Sequence, residues 1–251
     1  MKLIKQMAFK TNVERMNLLT NYLDVNDVKY TVQYVNDEEG NIIIDYVTGK
    51  DFLLIVAHYD VIEGSSGAND NASGILVVLE LIKKRIVRSV SCRIVFTTME
   101  EQGGKGIEKY IQEYGTQNIY CAINLDSCGW GKYVVLCNRG KRQVIKAQKK
   151  VRFSNFMPYG DDAILEDYGV DVISVSTMDN TSYYCFSEIG GFECNGLDVS
   201  KELIEEYNKL HIFDTMHCGE KDCIEIVSKQ NIRRVTSVIL KLLKNYRSIL
   251  S

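Results

Sequence analysis

Apolar positions recur along the chain with two periods. Runs that are continuous, or that alternate with polar residues, predict strands at residues 28–35, 41–47, 53–57, 91–98, 118–126, 133–137 and 170–175. Apolar residues three and four positions apart predict helices. Residues 3–23 carry Met7, Met16, Leu19 and Leu23 on one such face, and a helix opening at Asp70 carries Ile75, Val78, Leu79, Ile82 and Ile86. Asp70 is placed at the start of that helix, where free amide donors favour an acid. Further helices are predicted over 105–114, 141–150, 161–168 and 201–210, the basic 141–150 with a solvated charged face. The last helix, 229–246, has one stripe of Ile232, Val235, Ile239, Leu242 and Tyr246 that should dock on a sheet. Strands alternating with helices predict an α/β fold. The expectation is a single-domain three-layer sandwich over residues 1–251, with a mixed central β-sheet and helices on both faces. Three strands in short succession at its start predict an antiparallel opening to the sheet.

Composition narrows the function. A chain of 251 residues, 45% hydrophobic and 25% charged, can bury a real core. A net charge of −3 lacks the footprint of a nucleic-acid binder. No apolar stretch approaches a membrane span. The amino terminus, MKLIKQMAFKTNVERMNLL, has no signal-peptide core, so a cytoplasmic location is expected. None of the eight cysteines forms a C-x-x-C pair. Cys185/Cys194 and Cys218/Cys223 are near enough in sequence to pair, but scattered cysteines in such a chain are expected as free thiols.

The chemistry gathers at strand ends. The 53–57 strand runs into His58-Tyr59-Asp60, and a Gly/Ser-rich loop then leads to Asn69-Asp70. Glu100-Glu101 ends the next strand, Asp126 ends another, and His217 follows in FDTMHCGEKD. Carboxyl ends of strands are where open α/β sheets bind ligands. Each residue alone reads more readily as a cap, a turn, a structural histidine or a surface group. Together His58, Asp70, Glu101, Asp126 and His217 are two imidazoles and three carboxylates, a set that suits two zinc ions or related divalent metals such as cobalt or manganese. One carboxylate can bridge such ions, which two-metal hydrolases hold about 3.5–4 Å apart. Of a pair of adjacent acids, one can bind metal while the other stays free as a base. His211, the third histidine, is set aside as non-ligating.

The motifs AHYD (57–60), GANDNASGI (67–75), MEEQGGKG (99–106), NLDSCG (124–129) and DTMHCGEKD (214–222) follow in family order. On these the chain resembles the dizinc exopeptidases that include bacterial leucyl aminopeptidase and glutamate carboxypeptidase. The resemblance covers roughly residues 50 to 130 and 210 to 245. It implies that His58 and Asp126 hold one zinc, that Glu101 and His217 hold the other, and that Asp70 bridges them. It implies Glu100 as the general base and Asp60 as the residue orienting His58. It also implies a cis peptide between Asp70 and Asn71.

The chain departs from the family pattern in places. It reads Gly160-Asp161-Asp162 where relatives often have Ser-Asp-His, and Met216 stands where an aromatic is common in aminopeptidases. Residues 177–214 form a long segment, read as a lid or specificity wall or as a surface excursion. Tyr159 is a candidate oxyanion donor. The expected reaction is metal-dependent hydrolysis at the amino end of short peptides. A carboxypeptidase would need a cationic clamp, for which Lys105, Lys132, Arg139, Lys201 and Lys209 are the candidates. The alternatives are that carboxypeptidase, a one-zinc glutaminyl-peptide cyclotransferase, and a non-catalytic binding protein like the transferrin-receptor relatives, which lose ligands. The pattern specifies neither side-chain preference nor oligomeric state.

Overall fold

The apolar run around Leu53 becomes a strand buried along its whole length, and the sheet is assembled outward from it. A computed structural model describes residues 1–140, 151–217 and 219–250. Its strands are β1 (Thr31–Tyr34), β2 (Gly40–Tyr46), β3 (Phe52–His58), β4 (Cys92–Thr97), β5 (Ile119–Leu125), β6 (Tyr133–Arg139), β7 (Val151–Ser154) and β8 (Val172–Met178). They form one sheet in the order β1-β2-β4-β3-β5-β8-β6-β7. The central strands β4, β3, β5 and β8 are parallel. β1/β2, β2/β4 and β6/β8 pair antiparallel, so the sheet is mixed as expected. Parallel central strands bring the carboxyl ends of β3, β4, β5 and β8 to one edge.

Side chains alternate between the two faces of each strand. Leu53, Ile55 and Ala57 of β3 join a core with α1 (Lys2–Met7), α2 (Asn12–Val25), α3 (Ala72–Lys83) and α8 (Lys229–Leu250). Leu54 and Val56 face the other way, toward α4 (Lys105–Tyr114) and α5 (Asp161–Asp167). Helices therefore cover both faces. A strand buried on both sides must be apolar throughout, which is why β3 reads as a continuous run.

Several expected elements differ in the structure. Residues 3–23 are two helices, because the chain turns at Phe9 (φ 56°) and restarts at Thr11. There Thr11 and Glu14 form a reciprocal capping box. Of the three opening strands only β1 and β2 pair with each other, since β4 inserts between β2 and β3 and runs antiparallel to β2. Asn71, not Asp70, caps α3, accepting from the Gly74 amide at 2.9 Å. β7 was not predicted, being short and only half-buried. Nor was α6 (Asn180–Cys194), although the 177–214 segment is largely α6 and α7 (Lys201–Tyr207). Gly190 lets α6 approach closely, because a Cβ there would meet residues 155 and 156 at 2.9 Å. Both helices pack with β6 in an apolar cluster of Val135, Phe186, Leu203 and Ile212. Cys185, Cys194 and Cys223 are free thiols. Cys218 and the predicted basic helix 141–150 lie outside the described residues.

Candidate metal centre

The parallel strand ends deliver the site. His58 is the last residue of β3, buried, and the chain beyond it stays buried through Tyr59 and Asp60. Tyr59 fixes this exit by donating its hydroxyl to the Gly40 carbonyl at 3.0 Å. Beyond β4 the chain passes through Met99 (φ 54°) into Glu100 and Glu101. Beyond β5 come Asp126 and then Ser127 (φ 50°), and His217 itself has φ 49°. Left-handed backbone at three non-glycine residues beside one site is uncommon, and such conformations cluster where function constrains the chain. The Asp70–Asn71 peptide is cis. Asn71 Nδ2 donates to the Leu125 carbonyl at 2.7 Å, tying this turn to the end of β5.

All five predicted ligands come together. His58 Nε2 lies 3.1 Å from Asp70 Oδ1 and 3.5 Å from Asp126 Oδ1. His217 Nε2 lies 3.5 Å from Asp70 Oδ2 and 3.4 Å from Glu101 Oε2. One donor atom each from His58, Asp70 and Glu101 falls within a mutual 4.8 Å. Asp60 Oδ1 lies 3.4 Å from the other His58 nitrogen, Nδ1, and Asp60 Oδ2 accepts from the Glu101 amide at 3.1 Å. Asp60 thus touches both a histidine and the backbone of an acid in the turn beyond the neighbouring strand.

The residues fit a metal by their own chemistry. Both His58 ring nitrogens are buried and neither makes a hydrogen bond among the described residues, although carboxylate oxygens surround them. Buried polar atoms normally have partners. Electrostatics points the same way. Burial, with Asp161, Asp126 and Asp70 nearby, pushes Glu100 up to about 10 despite His58. Burial and Asp70 push Glu101 up to about 8. Burial alone would lower His58, but Glu100, Asp126, Asp60 and Asp70 outweigh it and hold His58 well above its ordinary value. So many acids around two imidazoles resist ionising together, and divalent cations would offset that repulsion.

A small cleft opens beside these groups, lined by Glu100, Asp126, Asp162, Phe186, Ile212 and Met216 among others. The 177–214 segment therefore supplies part of its wall. None of the clamp candidates lines it, and no lysine or arginine does among the described residues. Arg139 is engaged elsewhere, with Asp162 at 2.5 Å and Glu166 at 3.5 Å. Tyr159 borders the cleft but is 69% exposed, and its hydroxyl donates to Asp167 Oδ2 at 3.4 Å. His211 lies at the surface against Asp214.

Sequence reading missed two residues behind the site. Asp222 is buried and accepts from Ser65, Gly67 and Asn69, the loop leading to Asp70. Arg15 of α2 is fully buried and donates to the Gly67 carbonyl at 3.2 Å. Burial lowers its pKa to about 10, against the pull of Asp60, Asp222, Asp70 and Glu101. Asp222 lies in the DTMHCGEKD motif, which was its only sequence signal. Arg15 had none, because its burial is tertiary.

The fold is thus a mixed α/β sheet with histidines and carboxylates gathered at its carboxyl edge. The chain belongs to Peptidase family M28, whose model matches residues 41–242. Aminopeptidase YwaD of Bacillus subtilis is 27% identical over 200 residues, covering 75% of this chain and 40% of that protein. The chain thus spans less than half the length of this relative. The crystal structure of Legionella pneumophila LapA aminopeptidase superposes with a TM-score of 0.68 at 13% identity, covering 96% of this chain and 68% of LapA. Porphyromonas gingivalis glutaminyl cyclase superposes with a TM-score of 0.61 at 15% identity, covering 97% and 96%. At such identities these two likenesses speak for the fold.

Proposed function

We propose that the chain is a two-metal aminopeptidase acting on short peptides. The observation that carries this reading is the division of Asp70. Its Oδ1 faces His58, which also reaches Asp126, while its Oδ2 faces His217, which also reaches Glu101, so two donor sets meet at one carboxylate. His58 and Asp126 would hold one zinc, Glu101 and His217 the other, and Asp70 would bridge them. Bound there, the ions would act as Lewis acids and lower the pKa of water toward neutrality.

The chain's own groups do the rest. Glu100 lines the cleft and is the general base, taking a proton from the attacking water and passing it to the departing amine. Burial raises its affinity for a proton, so its carboxylate is a stronger base than an exposed one. Asp60 orients His58 through Nδ1. Asp126 and Glu100 accept the charged α-amine of the substrate, as charge-assisted hydrogen bonds favour. A terminal carboxylate would find no cation among the described lining residues.

The test is a matched pair of peptides, one acetylated at its amino end and one amidated at its carboxyl end. Cleavage of the amidated peptide alone is expected. Cleavage of the acetylated peptide alone would make the enzyme a carboxypeptidase. A third peptide, beginning with glutamine, probes the cyclase chemistry of the P. gingivalis protein. Loss of ammonia without hydrolysis would overturn the peptidase reading.

A further inference from the structure

The Asp162 departure from the family pattern is built into the floor of the cleft. Asp162 stands in the first turn of α5 with 3% of its surface exposed. Its Oδ2 accepts from Arg139 Nε and from Ser174 Oγ. Arg139 is locked in place, its Nη2 donating to the carbonyls of Met157 at 2.7 Å and Pro158 at 3.0 Å. Its single charge is shared between Asp162 and Glu166, so the cluster keeps a net negative charge.

Asp162 Oδ1 has no hydrogen-bond partner among the described residues, and Asp162 lines the cleft. A Cβ on Gly160 would lie 3.2 Å from this oxygen and 3.0 Å from Glu100 Oε1. Both acids therefore face one small space over a residue without a side chain. Asn124 lines the same floor, is 5% exposed, and its carboxamide bonds to no described residue. Above this polar floor the wall is apolar, formed by Phe186, Ile212 and Met216.

We infer that the cleft selects peptides whose first residue is lysine, an inference that rests on the aminopeptidase reading. The butyl stem packs on the apolar wall, and the ammonium donates to Asp162 Oδ1 and the Asn124 carbonyl. Norleucine offers the same stem but makes neither of these hydrogen bonds. Glutamate would meet like charge at Asp162 and Glu100.

The test compares amino-terminal fluorogenic amides of lysine, norleucine, glutamine and glutamate on the zinc-loaded protein. The lysine amide should exceed norleucine in kcat/KM by about tenfold or more, the range of a hydrogen bond to a charged group. In Asp162→Asn, with folding checked by melting, the lysine-to-norleucine ratio should fall to near one. Asn124→Ala, which leaves the Arg139 pair intact, should lower the ratio several-fold. Norleucine or glutamine cleaved as well as lysine by the natural protein would overturn the inference alone. So would an unchanged ratio in folded Asp162→Asn. If none of the four amides is cleaved, the aminopeptidase reading fails and this inference with it.

Discussion

Asp222 Oδ1 accepts the Asn69 amide at 2.7 Å, joining the loop before Asp70 to the segment after His217. Its Oδ2 takes the Gly67 amide at 2.8 Å and the Ser65 hydroxyl at 2.9 Å. One carboxylate therefore holds two chain segments that are remote in sequence and carry two of the candidate ligands.

Asp222→Ala would take the carboxylate from three buried donors, of which the Gly67 amide still has Ser65 Oγ at 3.3 Å. Each buried donor left unpaired costs about 1–3 kcal/mol, partly recovered by water and relaxation. We expect a loss of about 3 kcal/mol in denaturant unfolding and weaker zinc binding by titration. Asp222→Asn keeps one acceptor and should lose less. A melting curve and zinc affinity unchanged in Asp222→Ala would contradict this anchoring role.

Gly74 reports on how tightly α3 seats against β5. A Cβ there would lie 2.3 Å from Asn71 Oδ1 and 2.6 Å from the Leu125 carbonyl. Alanine is the better helix former, yet here it must push Asn71 off the α3 amide it caps. Gly74→Ala should destabilise by about 1–3 kcal/mol, the cost of overpacking a filled site. A raised melting midpoint would show that the helix propensity gain wins.

The metal-stripped protein should lose stability as pH rises. Burial and Asp70 raise Glu101 to about 8, so between its ordinary 4.5 and that value the folded state holds a proton the unfolded chain releases. Stability from this group is complete below the lower value and is lost through the upper one. His58, also raised, acts in the same direction above its ordinary 6.5. Melting of the chelated protein should therefore fall between about pH 5 and 8. Zinc should restore most near pH 8, because it binds the deprotonated ligands. A chelated protein that grows more stable across this range would refute the charge argument.

How much of this was legible depended on whether the cause was local. β3 is buried on both faces, so its apolar run and the polar His58 at its end stand out in sequence. Strand partners are not local. Nothing near β2 signals that β4, about fifty residues later, displaces β3 from its side. The break between α1 and α2 was readable, since Thr11 and Glu14 have capping-box spacing, but the apolar face runs on across it. α6 hides its period because apolar and aromatic residues surround it where it packs with α7 and β7. Arg15 looks like any polar helix residue until the Gly67 loop closes over it.

The two adjacent glutamates should separate cleanly. Glu101 Oε2 lies 3.4 Å from His217 Nε2, and the Glu101 amide is held by Asp60. Glu100 lines the cleft instead, with its Oε1 over Gly160. The left-handed turn at Met99 precedes both and helps aim them at different neighbours. Glu100→Gln removes the proton acceptor but keeps the shape of the side chain. Its metal content should stay near normal while turnover falls by about 10²–10⁴-fold, the usual contribution of a general base. Glu101→Gln removes a charged ligand and should lower occupancy of the His217 site, with activity partly recovered by excess zinc. Metal analysis after gel filtration, alongside turnover at saturating substrate, measures both. If Glu100→Gln loses zinc and Glu101→Gln retains it, the two roles are exchanged. If both keep their metal and their turnover, neither residue has the role given to it.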